Sequence, residues 1–354
     1  MTKYKILVMG ASYGSLLGTK LAFGGHRVHL ICLPAEAELI NTEGAIIRMP
    51  VKGVEGLLEI NSRQALGKLT AGGPGEIDPG LFDLVLLAMQ EPQYRSPGVR
   101  ELLDAVAKSK VPCMSIMNMP PLPYLRRIPG LDADACRNCY TDPTVWDKFD
   151  PELVTLCSPD PQAFRHPEEK VNVLQVRLAT NFKSARFASE VHTAILRQLE
   201  ADIDAVRFDT GSATVELPVK LKVHESVFVP LAKWCMLLAG NYRCVQNDSV
   251  RSIKESVHSD IEVSRSVYEW VGKLCISLGA KREDLVPFEK YAVATLSLVT
   301  PSSAARALQA GAHNIERTDR LIRTIAAQMG MQNTVVDETV ALVDARLEIN
   351  RSRD

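Results

Sequence analysis

The run Gly10-Ala11-Ser12-Tyr13-Gly14-Ser15-Leu16-Leu17-Gly18 stands directly after a short apolar stretch, Lys5 to Met9. Small residues there make a tight turn with unencumbered backbone that feeds a helix. The free N–H groups and dipole of a helix start suit a pyrophosphate, so the chemistry indicated is dinucleotide binding. Gly18, one turn further on, lets that helix approach a sheet closely. The spacing departs from Gly-x-Gly-x-x-Gly: Ser12 stands at the second Gly, and Gly14 comes one residue early for the third. A glycine turn kept for packing alone is the alternative.

The end of the second strand normally separates NAD from NADP, an acid binding the ribose hydroxyls and an Arg the 2′-phosphate. Here it reads Ile31-Cys32-Leu33-Pro34, with neither; Glu36 and Glu38 follow, and the nearest cations are Arg27 and His29. An NADPH preference below about tenfold is therefore expected. Lys233 lies in the otherwise apolar helical stretch Val229 to Leu238. An unpaired buried ammonium is costly, so this Lys must snorkel outwards, find a partner or serve chemistry. Cys136 and Cys139 form a single Cys-x-x-Cys, which cannot by itself close a four-ligand zinc site. No metal site is expected.

These residues need elements to hold them. Strands are expected at Lys5–Met9, Arg27–Cys32, Phe82–Ala88 and Val111–Ile116. Helices follow the glycine turn and run from Val99 to Ala107, with a hairpin around Lys52-Gly53. Strand and helix alternating with short turns indicates an α/β, doubly wound, mostly parallel sheet. The stretch from Leu122 to Asp160 reads as irregular, followed by a strand at Val171–Leu178, a helix at Val191–Leu199 and a last strand at Asp204–Phe208. From about Leu217 the periodicity is helical: Val219–Gly240, Val250–Leu278, Ser302–Gly330 and Val336–Leu347. The domains expected are residues 1–215, binding dinucleotide, and 216–354, all-helical.

The 354 residues include 46% hydrophobic and 23% charged, which excludes a disordered chain and is enough for a large core. Lys plus Arg (41) nearly balance Asp plus Glu (42), so the broad positive field of a nucleic-acid binder is missing. No apolar run is long enough to span a bilayer and the N-terminus is unlike a signal peptide. A cytoplasmic protein with no nucleic-acid or membrane partner is expected. The apolar run Val293 to Val299 could supply a homodimer face.

Taken together, KILVMGASYGSLLG, GHRVHLICLPAEAELI, LVLLAMQEPQ and SIMNM resemble the ketopantoate reductase (2-dehydropantoate 2-reductase) family. The resemblance implies a Rossmann domain followed by a helical domain like that of 6-phosphogluconate dehydrogenase. It implies an oxidoreductase acting on a CH–OH group, which reduces a small 2-oxo acid in pantothenate biosynthesis with NADP, or NAD, as coenzyme. Carried over by residue, the coenzyme contacts are Gly10, Ala11, Ser12, Tyr13, Gly14, Ser15, Leu33, Gln90, Gln93 and Asn118. Gln90 stands where the family often has Lys, Leu33 where it has a basic residue, and Met119 where it has Gly. Lys233 would be the general acid and Asn118 the amide facing nicotinamide and substrate. Asn241, eight residues after Lys233, would bind substrate with Ser302, Ser303 and Glu316. Ser302 and Ser303 after Pro301 are equally explained as a helix N-cap; aligned from Gly330, Asn314 replaces Glu316. An opine or other hydroxyacid dehydrogenase, or a coenzyme-binding pseudoenzyme, remains the competing expectation.

Overall fold

The computed structural model describes residues 2–353. They form two compact units, one of residues up to 89, 93–117 and 145–225, the other of 90–92, 118–144 and 226 onwards. In the first unit the strands β1 (Lys5–Met9), β2 (Arg27–Ile31), β3 (Ile46–Pro50), β4 (Leu57–Asn61) and β5 (Lys68–Gly72) come first. Then follow β6 (Leu84–Leu87), β7 (Cys113–Ile116), β8 (Val154–Pro159), β9 (Gln162–Phe164), β10 (Val173–Leu178) and β11 (Phe182–Ala185). The ribbon strands β12 (Arg207–Asp209) and β13 (Thr214–Glu216) precede β14 (Leu221–His224).

The main sheet has the order β14-β11-β8-β7-β6-β1-β2-β5. From β1 the chain builds outward through β2 and β5, then returns to lay β6, β7 and β8 on the other side, all parallel. Only β11 and β14, parallel to each other, run against the rest. The reversal of direction between β1 and β6 is a topological switch point, where such sheets bind ligands beyond their carboxyl ends. The strands are buried on both faces, which is why KILVM and LVLL read as continuous apolar runs. A smaller sheet, β4-β3-β10-β9, contains the hairpin expected around Lys52-Gly53.

Several expectations need correction. Val154–Pro159, inside the stretch read as irregular, is a wholly buried strand of the main sheet. Lys68–Gly72, for which no strand is expected, is the sheet's edge, paired only with β2 and half-exposed, so its apolar signal is weak. The strand near 204–208 is not the last: Leu221–His224 pairs with β11. The first unit therefore runs to residue 225, about ten residues beyond the change in periodicity.

The helix α1 (Tyr13–Phe23) begins at the glycine turn, and α2 (Pro34–Glu43) follows β2. In α1, Lys20 is fully buried and its ammonium donates at 2.9 Å to the carbonyls of Leu217 and Pro218. Burial lowers its pKa to about 7.

The second unit is helical, with no strand named in it among the described residues. Its helices include Ile261–Ser277, Phe288–Thr295, Thr318–Gln328 and Thr334–Arg351. The apolar side chains of Val293, Leu296 and Val299 are exposed. No helix among the described residues is long and apolar enough to cross a membrane.

A third helix of the first unit, α3 (Val99–Ser109), ends at Lys110, an exposed residue held at φ 59°, ψ 20°. A side chain in this left-handed region is strained and Gly is not. Lys110→Gly should stabilise the chain by about 0.5–1 kcal/mol, allowing for the greater freedom of an unfolded Gly. Denaturant melts would read this as a higher midpoint at unchanged slope; a lower midpoint contradicts it.

Candidate active site

The glycine turn leaves the sheet at its switch point. The Gly10 N–H donates to the Ile31 carbonyl at 2.9 Å and the Ala88 N–H to the Met9 carbonyl at 2.8 Å. The turn is thus fixed between the ends of β2 and β6. Gly10 adopts φ +105°, and a Cβ there would lie 2.7 Å from the Ala88 carbonyl oxygen. Both conformation and space require glycine. Ser12 precedes α1, is exposed and gives it no side-chain cap. An uncapped helix start beside bare backbone fits the pyrophosphate of a dinucleotide. Gly14 is different: its Cβ would meet Val8 Cγ1 at 2.7 Å. A β-branched residue there would disturb the core as well as the turn, so Gly14 cannot separate binding from folding.

In the second unit a pocket is lined by Gln90, Asn118, Leu237, Asn241, Tyr242, Ser303, Ala304, Ile315 and Glu316. Its free volume of about 20 Å³ is room for a single water, so it takes a small polar group and leaves the rest of a ligand outside. Glu316 is buried at 8% exposure. The Glu91 N–H donates to its Oε1 at 3.3 Å and the Asn118 Nδ2 to its Oε2 at 3.5 Å. Burial pushes its pKa up to about 8, against the opposing pull of those donors. The opposite end of the Asn118 amide, Oδ1, is buried with no hydrogen-bond partner. It is an acceptor available to a ligand's hydroxyl or amide. Tyr242 donates its hydroxyl to the Glu316 carbonyl and accepts from the Thr318 N–H at 3.0 Å, which fixes the backbone that carries the acid.

Lys233 opens the helical turn Lys233–Met236, which passes directly into a π-helical turn, Leu237–Asn241. Lys233, Leu237 and Asn241 recur at intervals of four along this stretch. The last two line the pocket, and half-buried Lys233 sits one turn before them. A π turn inside a helix frequently marks a functional position.

The two serines divide. Ser302 is buried, its hydroxyl donating to the Asn241 carbonyl at 2.7 Å and accepting from the Ala305 N–H, so it caps Ser303–Gln309. Ser303 is exposed and lines the pocket. Of the two registers for the acid, Glu316 lines the pocket, while Asn314 is bonded by Arg351. Gln93 is exposed in the first unit and Leu33 is 74% exposed. Cys136 and Cys139 are buried, with contacts to Gln328 and Thr324.

Glu91 and Tyr242 carry no sequence signal. Glu91 is 2% exposed and accepts from the Thr141 N–H and hydroxyl at 2.9 and 2.8 Å. It reads as one more polar residue after Gln90.

No protein-family model matches the chain, and no curated protein does. Solved structures match over its whole length. The 2-dehydropantoate 2-reductase of Methylococcus capsulatus is 15% identical, with 99% of this chain and 98% of that one covered and a TM-score of 0.64. The chain has the ketopantoate reductase fold. A ketopantoate reductase of Ralstonia eutropha gives 15% identity, coverage of 98% and 99%, and a TM-score of 0.60. A D-mandelate dehydrogenase solved with NADH and anilino(oxo)acetate gives 13%, 98%, 99% and 0.63.

A raised carboxyl pKa means that the folded state holds a proton the unfolded chain releases. The stability this gives is full below about 4.5 and is lost as pH rises towards about 8. The melting temperature of the wild type relative to Glu316→Gln should therefore fall across that window. A flat difference would mean Glu316 is ionised throughout. At the turn, Ser12→Asp should leave the melting temperature unchanged or higher, since an acid suits a helix start. Its charge should nevertheless weaken binding of NADH and NADPH by tenfold or more in calorimetric titration. Unchanged affinity would remove the pyrophosphate from this turn.

Proposed function

We propose that the protein is a nicotinamide-dependent reductase of a small 2-oxo acid, with 2-dehydropantoate the first substrate to test. The observation that carries this is the convergence of Asn118, Asn241, Ser303 and Glu316 on one pocket, although they lie far apart in sequence. Each is a residue the ketopantoate reductase resemblance assigns to the reaction. The D-mandelate dehydrogenase of the same fold was solved with NADH and an oxoacetate, which supports the class of coenzyme and substrate.

Bound at the glycine turn, the coenzyme would supply the hydride for the ketone carbon. The chain's residues supply the rest. The orphaned Asn118 Oδ1 accepts from a donor on the ligand. Glu316, protonated at neutral pH, can stand beside a substrate carboxylate without repelling it, and Ser303 and Asn241 offer neutral donors. Lys233, on the helical row of Leu237 and Asn241, polarises the ketone oxygen and gives it a proton. If 2-dehydropantoate is turned over, the protein acts in pantothenate synthesis.

The test is turnover of a panel of 2-oxo acids, including 2-dehydropantoate, with NADH and NADPH. Lys233→Ala should lower the rate by about 10² to 10⁴, the usual effect of losing a general acid, while coenzyme affinity stays unchanged. Lys233→Arg should restore little, because a guanidinium does not release its proton. A Lys233→Ala protein with most of its rate would eliminate this acid. Coenzyme binding with no substrate reduced would favour the pseudoenzyme.

A further inference from the structure

The second strand ends without the acid or the base that ordinarily reads the adenosine ribose, since Cys32 and Leu33 can be neither. The structure brings two charged groups to that place from elsewhere. Glu36 lies in the first turn of α2 on the face it shares with Ala37 and Ile40, all three buried. Its carboxylate therefore points inward rather than to solvent. Arg165, directly after β9, reaches it from the small sheet, 129 residues away. One guanidinium nitrogen, Nη2, bonds both the Glu36 Oε1 and, at 2.8 Å, the carbonyl of Ala11 in the glycine turn. The carboxylate is thus joined to the turn's backbone through a single nitrogen atom. Glu36 also stands 22 residues after Gly14, near the interval of about 20 at which a ribose-binding acid follows such a turn.

The arrangement is incomplete as it stands. The Arg165 Nε is buried and has no hydrogen-bond partner. A buried guanidinium N–H without an acceptor is costly, and a ligand oxygen would satisfy it. The carboxylate and guanidinium together place acceptors and donors beside the glycine turn and the start of α2.

We infer that Glu36, held against the glycine turn by Arg165, is the ribose-reading residue of the coenzyme site and makes the protein prefer NADH. The inference rests on the coenzyme reading above. A carboxylate accepts from the two hydroxyls of an adenosine ribose, and it repels the dianion of a 2′-phosphate. Arg165 positions the acid and moderates that repulsion, and once Glu36 loses its charge the guanidinium is released to pair with the phosphate instead.

The experiment is calorimetric titration of wild type, Glu36→Gln and Arg165→Gln with NADH and with NADPH, with circular dichroism to verify the fold. Wild type should bind NADH at least tenfold more tightly. Glu36→Gln should move the ratio of the two affinities towards NADPH by tenfold or more, whereas Arg165→Gln should weaken NADH without improving NADPH. If Glu36→Gln binds both coenzymes with the wild-type ratio, the pair is only a strap across the turn and the inference is overturned, with the coenzyme reading intact. If wild type binds neither coenzyme, the coenzyme reading itself falls and takes the inference with it. Should Glu36→Gln fail to fold, Glu36→Asp, which withdraws the carboxylate by one methylene, must weaken NADH selectively for the inference to stand.

Discussion

A single buried carboxyl organises the second unit's pocket. Glu316 draws the Glu91 N–H and the Asn118 amide to itself, while Tyr242 binds the carbonyl of the same residue. Four stretches of chain are thereby gathered: 90–92, the start of 118–144, the end of the π turn and the approach to Thr318. This explains why the short piece 90–92 packs with the helices although it follows a strand of the sheet. A carboxylate without these donors would be costly at such burial. Protonation near neutrality is the other half of the same solution, because a neutral acid needs less solvation than a charged one.

The two candidate sites would meet a ligand in different ways. At the glycine turn the backbone itself is what the proposed coenzyme would meet, and Gly10 keeps it bare by conformation and by space. In the pocket the side chains are the surface, and their polar ends must be held. Ser302 and Ser303 show how closely holding and binding can lie. One hydroxyl closes a helix start and the next faces the opening, although the residues are adjacent and chemically identical.

Much of this was legible in the chain, for physical reasons that also set the limit. KILVM and LVLL announce buried strands because both faces of the sheet are covered, and the glycine turn is local in sequence. Val154–Pro159 is equally buried, yet Thr155, Cys157 and Ser158 dilute its apolar signal and Pro159 suggests a loop. Its place in the sheet comes from pairing with β7, which no local pattern reports. Lys233 and Asn241 are readable together because one helix carries both. Arg165 and Glu36 are not, since an ion pair across 129 residues exists only once the small sheet has formed. Glu91 likewise gains its meaning from Thr141 and Glu316, neither of them near it in sequence.

The π turn at Leu237–Asn241 has a consequence for how this chain can change. Such a turn is a helix that has taken in one residue more than an α turn holds. Its residues are mostly apolar and could be exchanged for others of similar volume. Their number can also change in one direction. Removing one would restore an ordinary α turn and leave Asn241 and Tyr242 close to their places on the pocket wall, whereas removing a residue from a regular α turn rotates everything beyond it by about 100°. The extra residue is thus a reserve of length, and a deletion across this segment should be tolerated where one in a neighbouring α turn is not.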